Sequence, residues 1–425
     1  MLNPFKRIAE DVVCHYCHQL RSYNHTAMPA RPDTTKILQR HLRGHPNTIA
    51  VLVVDAADIP ASLVSRGIPE LTGTKGIIVA LNKVDLFSQF TTYSQEQSIE
   101  KMISWIKKRI QNDLGHVAEA NNVPVEVIPI SARTGDGVFN LIDAINRQRV
   151  DSSYDVCFIG RPNAGKSLLI NAITRLANGT DPEKSSTASI YPGTTVGVIS
   201  RPLSSFGVLF QHPSTSTSVD QQYNPPTTPP TTPETKPHTP IPSLHDTPGL
   251  FSTNISQITS LLTPVELKQT IATKPFPKYQ KQIPLPTGKS LFLGALVRID
   301  MVVGTHDFRS RPMARVFASN LIPLHPCRTS RSAALFANVG KLKDILNPPS
   351  SQKRVQELGG KLELAARIQM SNSPEYWKGK GGSFDVAVGG IGWVQLKGVP
   401  ENGIVEVWSL AAGAGVVVRD SFVVV

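Results

Sequence analysis

Eight residues limit the fold more than anything else in the chain. Gly160-Arg161-Pro162-Asn163-Ala164-Gly165-Lys166-Ser167 fits the pattern G-x-x-x-x-G-K-[ST]. It follows a β-branched apolar run, Asp155–Ile159, and opens a helix-like stretch, Leu168–Leu176. In that strand–loop–helix setting the glycines let the backbone curl, so that successive N–H groups face phosphate oxygens at the positive end of a helix. The reading places Gly160, Asn163, Gly165 and Leu168 around the phosphates. Lys166 bridges the β- and γ-phosphates, and the Ser167 hydroxyl ligates Mg²⁺. A chance match would be a glycine turn with an exposed lysine, and the flanking elements argue against it.

The rest of the chain is consistent with that loop. Ile49–Val54, Gly76–Leu81, Val125–Ile130 and Val156–Ile159 are short apolar runs bounded by turn residues, as buried parallel strands are. Helical patterns lie between or after them at Ser98–Leu114, Val138–Arg147 and Lys166–Leu176, with a further short one at Thr34–Leu42. The alternation predicts an α/β fold over residues 46–263: a doubly wound, mostly parallel sheet. After about residue 264 the pattern turns to strands, at Leu291–Val303, Phe384–Leu396, Ile404–Leu410 and Gly415–Val425, interrupted by a helix-like stretch from Gln352 to Met370. A β-rich region over 264–425 is expected.

Two excesses have addresses. Residues 211–243 hold 9 Pro and 12 Ser/Thr in 33 positions, too little apolar surface to offset ordering entropy, and are read as a disordered insertion. The net charge of the chain is +12. Residues 264–380 carry 19 Lys/Arg against 7 Asp/Glu, also +12, so the remainder, with 25 of each, is neutral. Tyr279, Phe292, Phe308 and Phe317 are interleaved there, a mixture that suits phosphate binding and base stacking on RNA. A solvated basic face is the plainer alternative. Four cysteines cannot build a disulfide framework, and no run of 18 apolar residues occurs, so neither a disulfide scaffold nor a transmembrane helix is expected.

Four shorter motifs sit at strand ends. Asn82-Lys83-Val84-Asp85 offers a carboxylate that can accept both the N1–H and the amino group of guanine; adenine has no such donor pair. Ser131-Ala132-Arg133 offers a second contact to the base. Pro192-Gly193-Thr194-Thr195 supplies a hydroxyl for the metal, Thr195 rather than Thr194, and Asp246-Thr247-Pro248-Gly249 supplies a metal-side carboxylate in Asp246 and a γ-phosphate-facing N–H in Gly249. Each alone is compatible with an ordinary turn. Together they specify a guanine-nucleotide site, and their order is unusual: the base-reading motifs precede the phosphate loop.

With that order, the chain resembles the circularly permuted GTPases of the YqeH type, which include the mitochondrial nitric-oxide-associated GTPase and the fungal genetic interactors of prohibitins. Val51–Asp55 with Asp58, Pro60 and Ser62, the run Leu291–Asp300, and Asp385–Gly392 with Trp393-Val394 are similar to further family segments; core packing is the preferred reading of Trp393. The resemblance implies GTP and Mg²⁺, assistance to small-ribosomal-subunit assembly through ribosomal RNA, a mitochondrial matrix location and peripheral association with the inner mitochondrial membrane. It implies that Asn163 helps hold a K⁺ near the phosphates. It also implies an N-terminal zinc module, of which this chain shows one pair, Cys14 and Cys17. Two thiolates do not close a tetrahedral site, and His15, His18 and His25 are the nearest further donors. Leu250 follows D-x-x-G, where many GTPases place a water-orienting glutamine, so slow hydrolysis is expected. A non-hydrolysing RNA-binding scaffold with structural nucleotide is the alternative, and an ATPase a third.

Overall fold

The buried strands of the first half hide a strict period of two. In the computed structural model, which describes residues 33–64, 68–120, 124–178, 197–210, 241–250, 262–278, 280–304, 311–341, 345–379, 381–410 and 415–422, β1 (Thr48–Asp55) sends Ala50, Leu52 and Val54 to one face of its sheet and Ile49, Val51 and Val53 to the other. Both faces are covered, so both sets must be apolar, and the strand reads as one unbroken run. The same holds for β2 (Gly76–Asn82), while β3 (Val125–Pro129) and β4 (Asp155–Gly160) complete the parallel core. β5 (Ile199–Pro202) and β6 (Ser243–Asp246) extend it, giving the order β3-β2-β1-β4-β6-β5, with only β5 antiparallel.

Helices α1 (Thr34–Gly44) and α2 (Thr92–Ala120) cover one face, α3 (Val138–Gln148) and α4 (Lys166–Asn178) the other. α2 buries Met102, Ile106 and Ile110, one side chain per turn. From β1 the chain runs outward to β2 and β3, then returns to β4 on the other side of β1. The crevice above the carboxyl ends of β1 and β4 is therefore the topological switch point, where open α/β sheets bind ligands.

The C-terminal half is antiparallel. It opens with α5 (Pro264–Thr270), started by a capping box in which Thr263 and Glu266 exchange side-chain-to-backbone bonds. β7 (Ile283–Pro284), β8 (Lys289–Leu293), β9 (Val297–Val303), β10 (Met313–Ala318), β11 (Leu324–Arg328), β12 (Glu363–Gln369), β13 (Ser383–Val388), β14 (Gly392–Lys397), β15 (Ile404–Ser409) and β16 (Val416–Asp420) form two five-stranded sheets, β16-β13-β14-β10-β7 and β11-β8-β9-β15-β12. Helices α6 (Thr329–Phe336) and α7 (Gln352–Glu357) lie between strands in the chain. The two sheets share an apolar core, into which Val386, Val388, Val394 and Leu396 point. Their alternates Ala387 and Trp393, with Phe317, point the other way, into the core of the nucleotide sheet on the α1/α2 side. The β16-β13-β14-β10-β7 sheet is thus buried on both faces, and residues 35–425 form one compact unit.

Four expectations need correction. Gln352–Met370 is not one helix: α7 stops at Glu357, Gly359 and Gly360 take positive φ (117° and 79°), and β12 follows. Leu291–Val303 and Phe384–Leu396, each expected as one strand, are hairpins: β8–β9 turned at Gly294 (φ 55°) and β13–β14 turned at Gly390 (φ 79°). Phe292 and Phe317 are fully buried, one in each core, and cannot stack on RNA bases. Tyr279 and Phe308 lie outside the described residues, as do the zinc-like Cys14 and Cys17, Thr195, and residues 211–240 of the Pro/Ser/Thr-rich segment. Ser243, at its end, begins β6. Among the described residues no helix is long and apolar enough to cross a membrane.

Candidate nucleotide site

The phosphate loop is enclosed by its neighbours, and its glycines are required by close approach. A Cβ on Gly160 would lie 2.5 Å from the Val53 carbonyl oxygen on the adjacent strand; one on Gly165 (φ 96°) would lie 2.3 Å from Asn82 Nδ2. Asn163 also takes a left-handed conformation, φ 64°, which asparagine tolerates better than most residues. Lys166 is buried, and its Nζ donates to the carbonyls of Gly160 (3.0 Å) and Arg161 (3.1 Å). Burial pushes this ammonium down to about 8, opposed by Asp246. Leu168 follows in the first turn of α4.

D-x-x-G packs against this loop from β6. The Ser167 hydroxyl donates to Asp246 Oδ2 at 3.2 Å, while Asp246 Oδ1 is buried without a hydrogen-bond partner. Burial raises the Asp246 carboxyl, opposed by Lys166 and by the Ser167 hydrogen bond. The Thr247 hydroxyl donates to the Phe158 carbonyl (2.7 Å), and the Leu250 N–H to the Gly160 carbonyl (3.1 Å). A Cβ on Gly249 would meet Pro162 at 2.8 Å. The Leu250 side chain is buried and apolar, so it presents no hydrogen-bonding group to an attacking water. A hydroxyl and a half-satisfied buried carboxylate, side by side next to a lysine, are the donor set Mg²⁺ requires beside a nucleotide phosphate.

The base-reading side is tied to the phosphate side by one residue. Asn82, at the end of β2, donates from Nδ2 to the Ala164 carbonyl (2.8 Å) and accepts the Ala132 N–H at Oδ1 (2.9 Å), so it fixes three loops at once. Lys83 takes φ 69° and donates to Asp55 Oδ2 (2.5 Å). Asp85 Oδ1 accepts the Ser131 hydroxyl (2.7 Å), and Oδ2 accepts Arg133 Nε (2.9 Å) and Nη2 (2.7 Å). The third residue of Ser131-Ala132-Arg133 thus lies on the carboxylate that the sequence assigns to guanine. Asn82, Lys83, Asp85, Ser131, Ala132, Arg133, Gly160, Asn163, Gly165, Lys166, Ser167, Asp246 and Gly249 lie at or just after the carboxyl ends of β2, β3, β4 and β6.

Sequence reasoning assigned no site role to a second carboxylate pair at the end of β1. Asp55 and Asp58 line a narrow cavity of about 30 Å³ with Lys83, Asn163 and Gly390. Asp58 Oδ1 accepts the Gly390 N–H at 2.6 Å, from the turn between β13 and β14. Burial, then repulsion from Asp55, pushes the Asp58 carboxyl up to about 7, opposed by the Gly390 bond, Arg161 and Lys83. Arg161, inside the phosphate loop, is buried with Nε unpartnered; burial draws its guanidinium down, opposed by Asp58. The signal in sequence was Asp55-x-x-Asp58 at the end of an all-apolar strand.

Comparison with known proteins agrees with this geometry. Residues 155–271 match the family model described as 50S ribosome-binding GTPase. The chain is 25% identical over 393 residues to the uncharacterized protein YqeH of Bacillus subtilis, covering 92% of this chain and 87% of that protein. It is 24% identical over 468 residues to nitric oxide-associated protein 1 of Mus musculus, covering 85% and 65%. To the chloroplastic/mitochondrial NO-associated protein 1 of Arabidopsis thaliana it is 24% identical over 370 residues, covering 84% and 56%. It therefore spans somewhat more than half of the plant relative and about two thirds of the mouse one. The chain is a circularly permuted GTPase, homologous over most of its length to YqeH and nitric oxide-associated protein 1.

Proposed function

We propose that the chain is a slow GTP switch that assists assembly of the small ribosomal subunit in mitochondria, gripping ribosomal RNA between helix α2 and its C-terminal sheet. One observation carries the RNA reading. A cleft of about 780 Å³ is lined by Lys101, Lys108 and Arg109 of α2 and by Arg315 and Lys397 of the β16-β13-β14-β10-β7 sheet, with the Trp105 and Tyr376 rings beside them. Asp420 is the one acidic residue in that lining. Cations along a groove with aromatic faces suit a single-stranded phosphate backbone with bases to stack. Four of the five cations lie outside residues 264–380, three of them on α2, so the surface exists only once α2 and the C-terminal sheet are folded together. The organellar setting draws support from the plant relative's printed name.

In the nucleotide site Lys166 exchanges its two loop carbonyls for β- and γ-phosphate oxygens. Asp85 reads guanine, with Ser131 holding one carboxylate oxygen, while Asn82 Oδ1 takes the Ala132 N–H and so sets Ser131-Ala132-Arg133 beside the base. Ser167, Asp246 and Thr195 are the residues that would hold Mg²⁺, which when bound would neutralise charge on the phosphate oxygens. The Gly249 N–H faces the γ-phosphate. Leu250 contributes no water-orienting group, so hydrolysis is slow, and Asn163 would help hold a K⁺ that would supply the charge an arginine finger supplies elsewhere. Equal turnover in KCl and NaCl at one ionic strength would remove the K⁺.

The test of the whole reading pairs two variants. K166A is expected to abolish turnover while leaving RNA retention without nucleotide intact. K108E/R315E/K397E is expected to keep basal turnover and lose small-subunit RNA in a filter assay, with the slope of log affinity against log salt reduced by about 2. RNA binding that is insensitive to salt, or unchanged in the triple variant, would overturn the cleft assignment.

A further inference from the structure

A second cluster of chemistry-bearing side chains lies away from the nucleotide loops, where α1 crosses the starts of β4 and β6. His41 and His45 stand one turn apart at the C-terminal end of α1, and the His45 N–H donates to the His41 carbonyl (3.1 Å), so the helical turn carries through both. His245 comes up from β6, paired in register with Cys157 of β4, on the sheet face that α1 covers. The three imidazole centroids lie 4.4, 4.5 and 4.9 Å apart, and one ligand nitrogen from each ring falls within 4.8 Å of the others.

The polar atoms of this cluster are poorly satisfied by protein alone. The Nε2 atoms of His41 and His245 are both buried without a hydrogen-bond partner. An unsatisfied buried nitrogen costs about 1–3 kcal/mol, and two in one cluster call for a common partner. His245 Nδ1 pairs with the Ser200 hydroxyl (2.8 Å), which fixes the ring and leaves Nε2 as its free lone pair. Asp155 is oriented in the same way: Oδ1 accepts the Ser243 N–H (2.7 Å), while Oδ2 lies 2.8 Å from His45 Nδ1 and 3.6 Å from His245 Nε2. The carbonyl end of α1 adds negative potential at the same point.

We infer that His41, His45, His245 and Asp155 form a site for one divalent transition metal of the zinc class, closed by four protein donors. Zinc–nitrogen bonds of about 2.0–2.1 Å place tetrahedral ligands roughly 3.4 Å apart, so the rings close by about 1 Å around the ion. Three imidazoles and a carboxylate suit zinc, cobalt and nickel, and exclude a magnesium or calcium preference. The site is structural, because no donor position remains for substrate. Its place gives it a consequence: His245 immediately precedes Asp246, so the ion would clamp α1 to the strand that carries D-x-x-G.

The test uses the full chain with C14S and C17S, so that the N-terminal thiolates cannot contribute, stripped of metal and free of any histidine tag. Titration with Co²⁺ is expected to saturate at one equivalent, with visible d–d bands and no thiolate charge-transfer band, and one equivalent of Zn²⁺ should displace it. H41N and H45N, the two less buried ligands, are expected to weaken binding at least tenfold while the metal-free proteins melt as the parent does. Zinc should raise the melting temperature of the parent and not of H45N. Absence of stoichiometric Co²⁺ binding in the C14S/C17S chain, a persisting thiolate band, or affinity unchanged in both histidine variants would overturn the assignment.

Discussion

Replacing Asp58 with asparagine should stabilise the protein, and more so as the pH rises. The carboxyl accepts the Gly390 N–H at 2.6 Å, a bond an asparagine carbonyl can keep, but it lies beside Asp55 in a confined cavity. Unfolded, it releases its proton near 3.8; folded, near 7. Between those values the native state holds the extra proton, so stability at this position falls as pH rises. Below 3.8 nothing is lost, and above 7 the loss is complete. At about 1.4 kcal/mol per pH unit the full interval is about 4 kcal/mol, and partial exposure of Asp58 screens this to roughly 2–3 kcal/mol. The D58N advantage should therefore grow from about 1 kcal/mol at pH 5 to about 2–3 kcal/mol at pH 8, read by urea unfolding of both proteins. Taking the difference between variants removes the titration of Asp246, Asp385 and Lys166, which the two share. A difference that stays flat with pH, or a D58N protein less stable than wild type at pH 8, would refute the reasoning: it would mean that Arg161 pairs with the carboxylate strongly enough to keep it ionised.

Other changes have equally direct readouts. R133A should tighten guanine-nucleotide binding about two- to fivefold, since removing an ion pair whose arginine is half exposed frees about 0.5–1 kcal/mol of competition for Asp85 Oδ2; weaker binding in a fluorescent-nucleotide titration would show that Arg133 holds the base instead. W393A should lose about 3–5 kcal/mol in denaturant unfolding, whereas W393F should lose only about 1–2 kcal/mol, because phenylalanine keeps the stack on Phe317 (4.9 Å, 13°) and removes a buried indole N–H that has no partner. S167A should raise the Mg²⁺ concentration needed for half-maximal turnover at least tenfold with guanine affinity in chelator unchanged, measured by metal titration of the hydrolysis rate.

The sequence was legible where one residue type has few structural uses. Gly160 and Gly165 could be placed in a phosphate loop because a side chain at either would strike a neighbouring strand or Asn82. The parallel strands were found to within one or two residues because double burial leaves unbroken β-branched runs. Contacts assembled from distant segments were not legible. Asn82 reads as a base contact in the motif, yet its hydrogen bonds go to Ala164 and Ala132. Charge counted by segment placed the basic excess wholly within residues 264–380, but Lys101, Lys108, Arg109 and Lys397 join Arg315 through folding. Phe292 and Phe317 sit among cations in sequence and inside cores in space, because a strand alternates faces every residue. The helical pattern of Gln352–Met370 failed at Gly359-Gly360, where two positive-φ residues outweigh the apolar spacing on either side.

The permutation gives the C-terminal half two holds on the nucleotide site. On the phosphate side, the β13–β14 turn touches Asp58, beside Arg161 and Asn163 of the phosphate loop. On the base side, Phe87 stands two residues after Asp85 and meets Trp393 (6.2 Å) and Phe276 (5.5 Å), and the Phe276 N–H donates to the Leu86 carbonyl (2.7 Å). Phe276 belongs to the segment that follows D-x-x-G, so the chain leaving the γ-phosphate sensor is pinned beneath the guanine loop before it enters the antiparallel sheets. In a GTPase that starts with its phosphate loop, an appended C-terminal domain has no such course through the site. Phe87 packs on Trp393, whose sheet also carries Arg315 and Lys397 and forms one wall of the basic cleft. Phe87, Phe276, Phe317 and Trp393 are close-packed, and a close-packed interior transmits strain. W393A should therefore weaken guanine-nucleotide binding as well as stability; a variant that unfolds more easily yet binds nucleotide as tightly as wild type would break this link.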